Sequence, residues 1–154
     1  MDRDDFLRGV RDVSPLLLGI LPFGLVAGIA AANAGLLLSQ ALGMSVLVFA
    51  GASQLAALDL IGRDAPLTVV FVTAVVINLR MLMYSASIAP HFRRFAGRVK
   101  AGLAYLLTDQ AYALSIASYR SEESVDRVAY YLGAAATLWV VWQIATVAGV
   151  LLGT

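Results

Sequence analysis

Arg80 falls about ten residues before Pro90 inside one apolar stretch, and Asp109 falls near the middle of the next. A charge at the centre of a membrane helix costs about 2.5–3.5 kcal/mol on insertion scales, so such residues either pair or mark a substrate or proton path. The planar fork of Arg80 matches a carboxylate, and Asn78 stands two residues before it. Asp109 has Thr108 and Gln110 beside it, with Tyr105 four before and Tyr112 three after. It can hold an ammonium group, relay a proton or serve as the counter-ion of Arg80. Ser53 and Gln54 form a polar pair midway along a third apolar stretch. They suit hydrogen bonds to a substrate or between helices. Asp59, nearer that stretch's end, reads as a solvated carboxylate.

These positions do not spell out an enzyme. There is no cysteine, one histidine (His91), and no Ser-His-Asp set, phosphate loop or metal-ligand spacing. Neither catalysis nor a metal or cofactor is expected. With a net charge of +1 and no basic stripe bearing aromatics, no nucleic-acid partner is expected either.

The elements that must position these side chains are hydrophobic helices. The 154 residues are 60% hydrophobic and only 14% charged, with a mean hydropathy of +0.83. The 46 residues from Val13 to Leu58 carry no charge at all. A soluble fold of this size could not hide that run, whereas about 20 apolar residues cross a bilayer. The expectation is an all-α, polytopic membrane bundle of about five segments, forming one transmembrane domain over residues 1–154 with the lipid bilayer as its solvent. The first twelve residues carry four Asp against three Arg, unlike the basic start of a cleaved signal peptide.

The segments read as residues 13–37, 39–61, 67–89, 101–119 and 128–153. Pro22 predicts a kink or split in the first, and Ser39 is a plausible cap for the second. Gly24/Gly28 and Gly149/Gly153 are GxxxG pairs suited to close helix approach. Arg80, Tyr84, Ser87 and His91 recur on one helical face of the third.

Counting cations under five full crossings gives a poor positive-inside bias: six inside against four outside, with the dense cluster Arg93, Arg94, Arg98 and Lys100 outside. One re-entrant segment changes the count to seven against three. Gly51-Ala52-Ser53-Gln54 in the second segment predicts such an interruption, with Pro22 as the other candidate.

The motifs Leu21-Pro22-Phe23-Gly24, Phe49-Ala50-Gly51-Ala52-Ser53-Gln54, Asn78-Leu79-Arg80 followed by Tyr84, Ser85 to Pro90, and Leu107-Thr108-Asp109 resemble the AzlC-type branched-chain amino acid permeases. The resemblance covers about Arg8 to Asp126. It implies a multi-pass bacterial inner-membrane exporter of valine, leucine or isoleucine, acting with a small AzlD-type hydrophobic subunit. It also implies that the chain lacks the family's carboxyl-terminal part. Met81 stands where many relatives have His, and Gln110 where many have Glu. The expected substrate-binding set is Arg80, Asn78, Asp109, Gln54 and Ser53. The competing expectation is a structural or assembly subunit whose GxxxG pairs hold a larger complex together.

Overall fold

In the computed structural model, residues 2–121 and 124–153 are described, and all regular structure among them is helical. Hydrophobicity alone does not form these helices; caps and small residues set their ends and their closeness. α1 (Arg3–Val13) begins at Asp2, whose carboxylate accepts the Asp4 N–H at 2.9 Å. A 3-10 turn over Ser14–Leu16 carries Pro15 and leads into α2 (Leu17–Asn33). α2 runs through Pro22 without a break, so the expected split there does not occur.

α3 (Leu38–Val48) starts with the Leu37 N–H donated to the Gln40 side chain, not with Ser39 as its cap. α4 (Gly51–Gly62) and α5 (Leu67–Asn78) are joined by a turn in which Asp64 takes the left-handed conformation. α6 (Arg80–Ile88) follows, then a 3-10 turn over Ala89–Phe92. α7 (Gly97–Tyr105), α8 (Asp109–Ser121) and α9 (Arg127–Gly153) complete the order. Among the described residues, three stretches are long and apolar enough to cross a membrane: Arg3–Asn33, Leu67–Phe92 and Arg127–Gly153. The second has no buried residue within its most apolar window, and Phe71, Val72, Val75 and Val76 stand exposed. Such a surface is untenable in water and ordinary in hydrocarbon.

The chain forms two compact units, one of residues 1–18 and 81–139, the other of residues 19–80 and 140–154. In the second unit, α2 and α9 cross closely through the two GxxxG pairs. A Cβ on Gly28 would lie 2.7 Å from the Gly149 Cα, and one on Gly153 2.9 Å from the Ala32 side chain. The pairs therefore meet each other inside the unit. In the first unit, α1 crosses α9 where Gly9 meets the Tyr130–Ala134 backbone and Gly133 meets Phe6.

The interruption expected in the second segment is present, shifted to Phe49–Ala50. Its two arms return to one place. Ala41 of α3 and Leu58 of α4 share a buried cluster with Ala31 and Val150. A straight helix would hold Ala41 and Leu58 roughly 25 Å apart. Asn33 and Ala34 also line one cavity of about 520 Å3 with Asp59, Gly62 and Arg63. α3–α4 is thus a helical hairpin and not one straight helix.

The fourth segment, expected as one helix, is likewise interrupted, between Tyr105 and Asp109. Lys100 and Leu103 of α7 line a cavity with Pro90 and Arg93. Tyr119, near the end of α8, lies against the neighbouring His91, ring centres 4.9 Å apart. A continuous helix would separate Lys100 from Tyr119 by roughly 28 Å. α7–α8 is the second helical hairpin.

Candidate functional sites at two helix breaks

The α3–α4 break is built from groups that satisfy one another. Phe49 caps α3 in the left-handed region (φ 38°, ψ 53°), its N–H still donating to the Ser45 carbonyl at 3.1 Å. That conformation costs a non-glycine residue about 1–2 kcal/mol, so the surroundings must hold it. Gln54 does part of this: its Oε1 accepts the Ala50 N–H at 3.2 Å. Ser53 donates its hydroxyl to the Ala50 carbonyl at 2.9 Å and accepts from Asn78 Nδ2 at 3.0 Å. Ser53 and Gln54 are both buried. Three of the five residues singled out from sequence, Ser53, Gln54 and Asn78, thus converge within one unit. The Asn78 Oδ1 is buried and has no hydrogen-bond partner among the described residues.

Around this break stand residues that sequence reasoning passed over. Trp142 of α9 packs on Phe23, ring centres 5.4 Å apart, and its six-membered ring lies over Gly51. A Cβ at Gly51 would be 2.8 Å from both rings, which is why glycine opens α4. Gln143 donates to the Ser45 carbonyl at 3.4 Å. The N–H groups of Gly51 to Ser53 begin α4, so the positive end of its dipole faces the break. This end can meet an anionic group, with the Phe23 and Trp142 rings as apolar walls. Arg80, half-buried at the start of α6, closes the same unit in sequence.

The α7–α8 break is capped differently. Thr108 Oγ1 accepts the Ala111 N–H at 3.2 Å, which makes Thr108 the N-cap of α8. Asp109 then occupies the first helical position, where a carboxylate complements the helix dipole. A Thr-Asp pair in mid-segment is an N-cap signature, and that signal would have located the break. α7 lies along α9: Tyr131 donates to the Leu103 carbonyl at 2.7 Å, and Trp139 Nε1 to the Tyr105 hydroxyl at 2.9 Å. Of the face read from sequence as Arg80, Tyr84, Ser87 and His91, which runs along α6 into the 3-10 turn, the last three residues pack on α8. Tyr84 stacks on Tyr112 at 4.5 Å, the Tyr112 hydroxyl donates to Ser87 at 2.9 Å, and His91 meets Tyr119.

Asp109 belongs to one unit and Ser53, Gln54, Asn78 and Arg80 to the other. The described residues contain no group of three or more His, Asp or Glu able to hold a metal ion.

Comparison with known proteins gives a consistent picture. A family model described as "AzlC protein" matches residues 15–154. An uncharacterized membrane protein of Helicobacter pylori (strain J99) is 29% identical over 97% of this chain and 67% of its own length. One from Archaeoglobus fulgidus is 29% identical over 97% of this chain and 63% of its own. The inner membrane protein YgaZ of Escherichia coli (strain K12) is 23% identical over 97% of this chain and 61% of its own. The chain therefore spans between 61% and 67% of the length of these relatives. No solved structure matches it significantly.

Proposed function

The chain belongs to the AzlC family, and from that premise we propose that it serves the export of branched-chain amino acids such as valine, leucine and isoleucine across a bacterial inner membrane, together with a small AzlD-type subunit. One observation carries the reading: two helical hairpins, each with polar side chains at its break, among otherwise apolar helices, which we read as re-entrant segments. Non-helical backbone at membrane depth is tolerated only where protein buries it or where it lines a cavity, and transporters place substrate at such breaks. In the second unit, Asn78, Ser53, Gln54 and the α4 N-terminus meet at the break, and Arg80, two residues after Asn78, would supply the charge for a carboxylate. In the first, Asp109 is suited to an ammonium group or a proton. The scaffold alternative loses its main support, because both GxxxG pairs are consumed by α2–α9 packing.

Counter-flow of labelled valine in proteoliposomes, with and without the co-expressed small subunit, tests the reading. Exchange is expected with the wild type, and Arg80→Ala should abolish it while leaving most of the membrane expression. Absence of exchange from a folded, co-purified pair would overturn the transport reading. Wild-type exchange by Arg80→Ala would remove Arg80 from the binding set.

We also propose an orientation. Nine of the eleven Lys and Arg residues fall in the first unit, the other two being Arg63 and Arg80. With three crossings and two re-entrant segments, those nine share one face of the membrane and Arg63 stands alone on the other. The positive-inside rule then makes the amino terminus and the Arg93–Lys100 loop cytoplasmic. Ala96→Cys, in a chain with no cysteine, should resist an impermeant maleimide in intact cells. Labelling there would reverse the orientation.

A further inference from the structure

Beside the basic loop, the first unit holds a cavity of about 350 Å3 between α6 and α7. Its inner wall is apolar: Ile88, Phe92, Leu103, Leu107 and Tyr131 are all buried around it. The wall is rigid, because Phe92 packs edge-on to Tyr131 at 5.4 Å and the Tyr131 hydroxyl is committed to the Leu103 carbonyl. Arg93 and Lys100 also line the cavity, and both side chains are exposed. Neither has an ion-pair partner among the described residues, and no Asp or Glu lines the cavity. Arg93 also borders a second, more polar cavity of about 370 Å3, lined by His91, Arg94 and Arg127. An apolar slot with two exposed cations on its wall and more beside it matches one kind of molecule found in every bacterial membrane, an acidic amphiphile.

We propose that this cavity is a binding site for an anionic phospholipid. An acyl chain lies against Ile88, Phe92, Leu103 and Leu107, and the lipid phosphate is held by Arg93 and Lys100. A basic pocket between membrane helices on the cytoplasmic side recognises such headgroups by charge, and the apolar slot excludes a free anion as the natural occupant. Arg98 belongs to the same basic run but does not line the cavity, which separates a built site from a diffuse positive surface. The proposal is independent of the transported substrate.

The test is native mass spectrometry and thermal unfolding of the purified protein with phosphatidylglycerol, phosphatidylcholine or inorganic phosphate added. Phosphatidylglycerol should be retained and raise the unfolding temperature, phosphatidylcholine should do so at least about tenfold more weakly, and phosphate alone should do nothing. Arg93→Gln with Lys100→Gln should erase the preference for phosphatidylglycerol, whereas Arg98→Gln should keep it. Ala104→Trp fills the slot without changing charge and should displace the lipid from a chain whose cations are intact. Equal retention of the two lipids would overturn the proposal. So would equal losses from Arg98→Gln and Arg93→Gln, or protection by phosphate alone. If the cavity instead seats another protein segment, neither lipid is retained, and the proposal fails on that outcome too.

Discussion

The two helical hairpins solve one problem with different chemistry. Each interrupts a helix inside an apolar bundle and must satisfy the backbone groups that the interruption releases. At the α3–α4 break the work falls to neutral amide and hydroxyl groups, Gln54 and Ser53, beneath the rings of Phe23 and Trp142. At the α7–α8 break a threonine caps the returning arm, and a carboxylate, Asp109, sits at its first position. The first break is crowded by two aromatic rings. The second carries charge, in the unit that holds most of the cations. Similar backbone paths are thus satisfied by different groups, an amide and a hydroxyl at one break and a hydroxyl beside a carboxyl group at the other.

The sharpest way to break this contrast is a glycine exchange in each hairpin. Gly51→Leu drives its new side chain into the Phe23 and Trp142 rings, whereas Gly102→Leu in α7 meets open space. Overpacking of this kind costs about 1–3 kcal/mol or more. Thermal unfolding should therefore fall sharply for Gly51→Leu and hardly move for Gly102→Leu. Equal effects would mean that the two rings do not crowd Gly51.

A smaller effect is expected from the glutamines. Gln54→Leu strips the Ala50 N–H of its acceptor and should cost about 1–3 kcal/mol, the penalty of a buried unsatisfied group. Gln110, half-buried beside Asp109, makes no such bond among the described residues. Gln110→Leu should stay within about 0.5 kcal/mol. Denaturant titration of the two variants side by side decides it, and an inverted order would move the critical cap to the second hairpin.

The smallest effect concerns the mouths of the hairpins. At the first unit's mouth, burial works to raise the Asp126 pKa, but N–H groups of Asp2, Ala129 and Val128 outweigh it and hold the carboxyl below its ordinary value. A depressed carboxylate stabilises the fold above the unfolded-state value of about 3.9, and that contribution fades as pH falls through the lower folded value. Asp126→Asn should therefore flatten the loss of unfolding temperature between pH 5 and about pH 3. At the other mouth Asp59 makes an exposed i,i+4 pair with Arg63 at 2.9 Å, so Asp59→Asn should be nearly neutral. If Asp59→Asn flattens the acid limb more than Asp126→Asn, the anchoring role belongs to the wrong mouth.

Much of this was legible without coordinates. A 46-residue run without charge forces a membrane bundle, because no soluble fold of this size has enough interior to hide it. Gly51 with Ser53 and Gln54 advertises an interruption, since glycine weakens a helix interior and the other two offer polar groups to the released backbone. The second interruption went unread because no glycine or proline marks it; the capping pair Thr108-Asp109 looks, in one dimension, like two polar residues in a helix. Pro22 misled in the opposite sense, as α2 absorbs it.

What the tertiary structure decided was direction. Local pattern tells where a helix stops but not whether the chain then goes on or turns back, because that depends on contacts between residues distant in sequence. Ala41 against Leu58 with Ala31 and Val150, and Tyr119 against His91, are such contacts. They turn two segments that read as single helices into two helical hairpins, and the orientation proposed above rests on that change.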